Sequence, residues 1–66
     1  MTIFTAKDKA ECAEREVKQR QRVYPRLIAE GRMTQQLADR QTALMEAIAS
    51  DYRSAAEAED AKGRLI

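Results

Sequence analysis

Apolar positions along the chain fall into two helical stretches separated by a short polar turn. From Ala6 to about Val23 there is no glycine and no proline, and Ala, Glu, Lys, Gln and Arg dominate. These are strong helix formers. Ala6, Ala10, Ala13, Val17, Tyr24 and Leu27 recur at steps of 4, 3, 4, 7 and 3. That is a heptad-like stripe along one helix face, and its missing member is Arg20. The stripe is thin where alanine dominates and heavy at Tyr24, Leu27 and Ile28. Thr5 stands at the N-cap position, with Asp8 three residues on as the acid of a capping box.

Pro25 interrupts this pattern. It has no N–H to give the carbonyl of Gln21, its ring crowds that turn, and it pushes Tyr24 away from helical dihedrals. The first helical stretch, about residues 6–30, is therefore expected to kink or break near 25. In a break, Pro25 would open a short second piece, a position where proline is tolerated. Gly31 is the clearest stop signal, because glycine takes the left-handed conformation that follows a helix end. The turn then covers 31–33. Thr34 caps the second helix, with Met33 and Ala38 in staple positions. That helix is expected over about 34–62. Its stripe is Leu37, Gln41, Leu44, Ile48 and Ala55, widened by Met45 and Tyr52. Gly63 would end it, with Leu65 folding back as the apolar contact of the end.

A three-residue connection favours antiparallel neighbours. The expected fold is all-α: one domain over residues 1–66, an antiparallel helical hairpin with a kink or break at Pro25. A hairpin buries each stripe along one seam only, so two hairpins stacked as a four-helix bundle would bury more, and a homodimer is expected. Composition points the same way. Twelve of the hydrophobic residues are alanine, and five of the sixteen large apolar side chains (Met1, Ile3, Phe4, Leu65 and Ile66) sit at the chain ends. A fully buried large apolar side chain contributes about 1.5–3 kcal/mol, whereas ordering each residue costs about 1.5 kcal/mol. A lone monomer of this length is marginal.

The residue inventory excludes several chemistries. There is no histidine and a single cysteine. A zinc site built from Cys and His, an internal disulfide, and Ser–His or Cys–His nucleophilic pairs are all excluded. The carboxylate pairs Glu11 with Glu14 and Glu59 with Asp60 lie on helices with no expected cleft around them. The chain therefore reads as non-enzymatic, with no catalytic residue, metal or cofactor expected. No apolar run approaches the roughly 20 residues of a membrane span, and Met1–Thr5 lacks the pattern of a secretory signal. No membrane association and a reduced, cytoplasmic location are the expectations. Cys12, Tyr24 and Tyr52 are expected to pack in the interior.

Charge is unevenly distributed although the net charge is only +1. Residues 1–32 carry eight basic and five acidic side chains, and residues 33–66 carry four and six. The basic excess lies in Arg15, Lys18, Arg20, Arg22 and Arg26; the acidic excess lies in Glu46, Asp51, Glu57, Glu59 and Asp60. One reading is a solubilising surface with loose ion pairs. The other is a binding face. Lys18, Arg20 and Arg22 cannot all point one way on a helix, since residues two apart do not share a face. Arg20 is expected at the seam, either with its stem packed and its head reaching water or paired inward, for instance with Gln41 or Glu46.

One segment has a wider echo. Val23-Tyr24-Pro25-Arg26, Gly31-Arg32-Met33-Thr34, Met45-Glu46-Ala47-Ile48 and Asp51-Tyr52 follow one another over more than half of the chain. This pattern resembles short uncharacterised all-helical proteins of proteobacteria and their phages or prophages. The resemblance carries no catalytic residue. It implies a protein that binds and blocks a host machine, with an inhibitor of host defence of the anti-CRISPR type as one candidate, or one that serves phage regulation and assembly. Binding of a protein partner is the leading expectation, through Tyr24, Arg26 and Arg32 at the Pro25 corner and the acidic face of Glu46, Asp51, Glu57 and Asp60. An acidic helix can imitate a phosphate track. The alternatives are RNA or DNA binding through Arg15, Lys18, Arg22 and Arg26, and a purely structural oligomerisation module.

Overall fold

The computed structural model describes residues 3–64 and contains two helices, α1 (Ala6–Ala29) and α2 (Gln35–Arg64). They pack against each other as a hairpin with overall dimensions of 54 × 24 × 16 Å. Among the described residues there is no strand, and no helix is long and apolar enough to cross a membrane.

The helix ends follow from local chemistry. Thr5 and Asp8 form the reciprocal capping box: the Asp8 amide donates to Thr5 Oγ1 at 3.0 Å and the Thr5 amide donates to Asp8 Oδ2 at 3.1 Å. Two amides of the first turn are thereby satisfied. At the other end of α1, Gly31 has φ 72°. Its amide donates to the Ile28 carbonyl at 3.0 Å, and the Arg32 amide donates to the Leu27 carbonyl at 2.9 Å. Those two bonds make a Schellman closure. Thr34 then caps α2, its hydroxyl accepting from the Leu37 amide at 3.1 Å.

Three expectations about the elements need correction. First, of the kink or break expected at Pro25, the break does not occur: α1 continues as helix to Ala29. A proline inside a helix costs about 3 kcal/mol, but only one turn follows it. Continuing that turn brings Leu27 and Ile28 to half-buried positions and delivers the carbonyls used by the Schellman closure. Pro25 itself is exposed. Second, α2 runs past Gly63 to Arg64; Leu65 lies outside the described residues. Third, α2 turns a different face to α1 than its large apolar residues suggest.

On α1 the seam is as the spacing predicts. Ala6, Ala10 and Ala13 are buried, and Val17, Arg20, Tyr24 and Leu27 are half-buried. On α2 the inward face consists of buried Ala38 and Ala49 with half-buried Gln41, Thr42, Met45, Arg53 and Ala56. Leu37, Leu44, Ile48, Tyr52 and Ala55 are exposed. They precede the inward residues by one position, and so stand about 100° round the helix from them. Among the described residues every buried one is an alanine. Alanine at a helix–helix contact lets the axes approach closely, and that approach leaves the bulkier row on the flank. Cys12 is likewise exposed rather than interior, because it lies one residue, about 100°, from buried Ala13.

Candidate interaction surfaces

Two side-chain contacts set how the helices sit against one another. Arg20, the charged member of the α1 stripe, extends across the seam and donates from Nη1 to the backbone carbonyl of Gln41 at 3.0 Å. Its Nε lies 3.5 Å from Glu16 Oε1. The side chain is only 21% exposed, so the guanidinium is held at the seam by both partners. Of the arrangements open to Arg20 in the sequence, the structure has the inward one with Gln41, and the acceptor is the main chain rather than the amide side chain. Glu46 lines the same groove as Arg20 without pairing with it.

The second contact was not foreseen. Arg53 grips Glu14 with two parallel hydrogen bonds, Nε to Oε2 at 2.9 Å and Nη2 to Oε1 at 2.6 Å. Fork-to-fork pairing of this kind adds geometric specificity to charge attraction. The Arg53 hydrogen bonds hold the Glu14 carboxyl below its usual range, against a smaller opposing effect of burial, and Lys18 adds to the lowering. Arg53 is correspondingly shifted upward. A carboxyl with a depressed folded pKa contributes stability at pH above its ordinary range and loses it as pH falls through the depressed value. Glu14→Gln should therefore lower the melting temperature at pH 7. The difference from the parent chain should vanish well below about pH 4. Thermal melts followed by circular dichroism at the two pH values test this; a pH-independent difference would remove the ion pair as its cause.

The two edges of the hairpin differ in character. On one edge lies an open groove of about 690 Å³ whose lining includes Phe4, Cys12, Ala13, Met45 and Ile48. The sequence had suggested no cleft. Phe4 is 61% exposed, Leu44 51% and Leu37 46%, so the apolar row of α2 and this groove form one uncovered flank. Lys9 lies over the Tyr52 ring, with Nζ 5.5 Å from its centroid. Tyr52 is thus part of the flank, not of the interior. The opposite edge carries a smaller groove of about 320 Å³, lined by polar groups such as Gln21, Asp39, Thr42 and Glu46 together with Tyr24 and Pro25.

The predicted binding residues separate into groups. Arg15, Lys18, Arg22 and Arg26 are all exposed. At about 100° per residue they share an arc of about 80°, nearly opposite the alanine seam. Among the described residues none of the four is ion-paired; Arg22 donates to the side chain of Gln19. Tyr24 does not join them, since it is half-buried at the seam. Arg32 lies in the turn, 3.5 Å from Glu30. On α2, Glu46, Glu57 and Asp60 share one side, and Arg53 stands among them while reaching to Glu14. Asp51 falls far round the helix from that group. The four acids are therefore not one face.

Among the described residues no group of His, Cys, Asp and Glu side chains is arranged to hold a metal ion. No protein-family model, curated protein or solved structure matches the chain.

Proposed function

We propose that this is a non-enzymatic protein that works by protein–protein contact, and that its first partner is a second copy of itself. The observation that carries this reading is the uncovered apolar flank of Phe4, Leu37, Leu44, Ile48 and Tyr52. The chain exposes 5458 Å², whereas a compact monomer of 7.5 kDa would expose about 4,250 Å². The excess, about 1,200 Å², reflects the elongated hairpin, whose length leaves room for the roughly 800 Å² that each partner contributes to a standard stable interface. Two flanks placed face to face give a four-helix bundle whose new interior holds the large side chains that a single hairpin leaves in water.

An adaptor or inhibitor role, of the kind implied by the resemblance to small phage proteins, would then belong to the assembled bundle. The exposed corner at Pro25, Arg26 and Arg32 is left open to such a partner.

Sedimentation equilibrium tests the self-association. The parent chain should sediment at twice its 7.5 kDa mass. The double variant Leu44→Glu, Ile48→Glu should sediment as a single chain with its helicity retained, because both positions are exposed in the hairpin. A parent chain that stays monomeric at high micromolar concentration would overturn the reading.

A further inference from the structure

We infer that the outer face of α1 is a binding site for the phosphate backbone of duplex DNA. Four cations carry the inference: Arg15, Lys18, Arg22 and Arg26, at steps of 3, 4 and 4 along one exposed helix face. They span about 16 Å of helix at 1.5 Å per residue. The objection that Lys18, Arg20 and Arg22 diverge is removed by the structure, because Arg20 turns inward to Gln41 and leaves the others aligned.

A solubilising surface typically mixes its signs along a face, and basic side chains there find acids one turn away. Here three of the four acids about a turn away are directed elsewhere: Glu14 is taken by Arg53, Glu16 by Arg20 and Glu30 by Arg32, which leaves Glu11, one turn before Arg15, as the acid on this face. The stripe therefore keeps its positive charge despite a net charge of only +1. A row of unpaired cations is the footprint of a polyanion backbone.

The same face specifies which polyanion. It has one aromatic neighbour, Phe4, which lines the apolar groove together with Arg15, whereas Tyr24 is at the seam and Tyr52 lies under Lys9. Single-stranded nucleic acid is held by a series of such rings; this face offers a row of cations for phosphate and no series of rings. A helix fits the major groove of B-form DNA, about 12 Å wide, whereas the A-form groove of duplex RNA is too narrow to admit it. The contact inferred is to phosphate, which positions the helix on the duplex and carries no sequence information itself. The stripe belongs to a single hairpin, so this inference does not depend on self-association.

Fluorescence anisotropy with a 20-base-pair mixed-sequence DNA duplex tests it. Neutralising four phosphates gives a log–log salt slope of about −3.6, and so roughly a 150-fold loss of affinity between 50 and 200 mM salt. A dimer engaging both stripes would steepen the slope. Arg15→Glu with Arg22→Glu should abolish binding, and the neutral pair Arg15→Gln with Arg22→Gln should weaken it and flatten the slope by about 2. The control pair Arg40→Glu with Lys62→Glu makes the same charge change at exposed positions off the stripe and should retain most of the affinity. Equal loss in the control, a salt-insensitive affinity, or tighter binding to duplex RNA or to a single strand of the same length would each overturn the inference. The leucine-flank variant, monomeric by design, should still bind, which separates failure here from failure of the self-association reading.

Discussion

Leucine in place of Ala10 is expected to destabilise the hairpin more than any change on its surface. Ala10 is 0% exposed at the alanine seam, where the two helices meet through their smallest side chains. Three added carbon atoms there must either push the axes apart or adopt a strained rotamer. Overpacking of this kind costs about 1–3 kcal/mol. A chain of this length has a total stability of only about 3–10 kcal/mol, and each kcal/mol moves the midpoint by about 4–8 °C. Parting the axes would also stretch the Arg20–Gln41 bond at 3.0 Å and the Glu14–Arg53 pair. Ala58 is exposed on α2, so Ala58→Leu is the control, with similar helix propensity and no seam to disturb. Thermal melts at one fixed protein concentration should show a drop of about 5–20 °C for Ala10→Leu and almost none for Ala58→Leu. Equal melting of the two would mean that the seam is not close-packed.

The second large effect is expected at Gly31. Its φ of 72° is reached easily only by glycine, and a Cβ placed there would meet nothing within 4 Å. The cost of a side chain is therefore one of backbone conformation alone. For an ordinary L-residue it is about 1–2 kcal/mol, and a β-branched side chain lies at the upper end. Gly31→Val should lower the melting midpoint by about 5–15 °C. Gly31→Asn should recover much of that loss, because asparagine tolerates the left-handed region. Relaxation of the turn would also release the Gly31 and Arg32 amides from Ile28 and Leu27, fraying the last turn of α1. Equal effects of valine and asparagine would show that loss of the φ preference is not the cause.

The parts of the fold that were legible in the sequence are those governed by neighbours a few residues apart. The Thr5–Asp8 box, the Gly31 stop and the Thr34 cap each depend on side chains and amides within one helical turn, and the structure has all three. The α1 stripe was legible because one period accounts for it. Pro25 was harder. The penalty for an internal proline is local, but the gain from carrying the helix on to Ala29 comes from packing and from the turn. The charged stripe was partly legible. Its four residues were named, but their alignment depends on Arg20 leaving the surface.

From the sequence alone follow two helices, their caps, the turn that reverses the chain, and an inventory of side chains without histidine or paired cysteines. These follow because hydrogen bonds and dihedral preferences act over short distances along the chain. Only the tertiary structure decided which face of α2 meets α1. Two rows, one of leucine, isoleucine and tyrosine and one mostly of small residues, lie about 100° apart on that helix, and periodicity cannot choose between them. The choice is made across the seam, by the close approach that alanine permits and by Arg53 reaching Glu14, 39 residues away. That rotation of one helix about its own axis leaves the large apolar residues on the flank. It also sets Arg53 against Glu14.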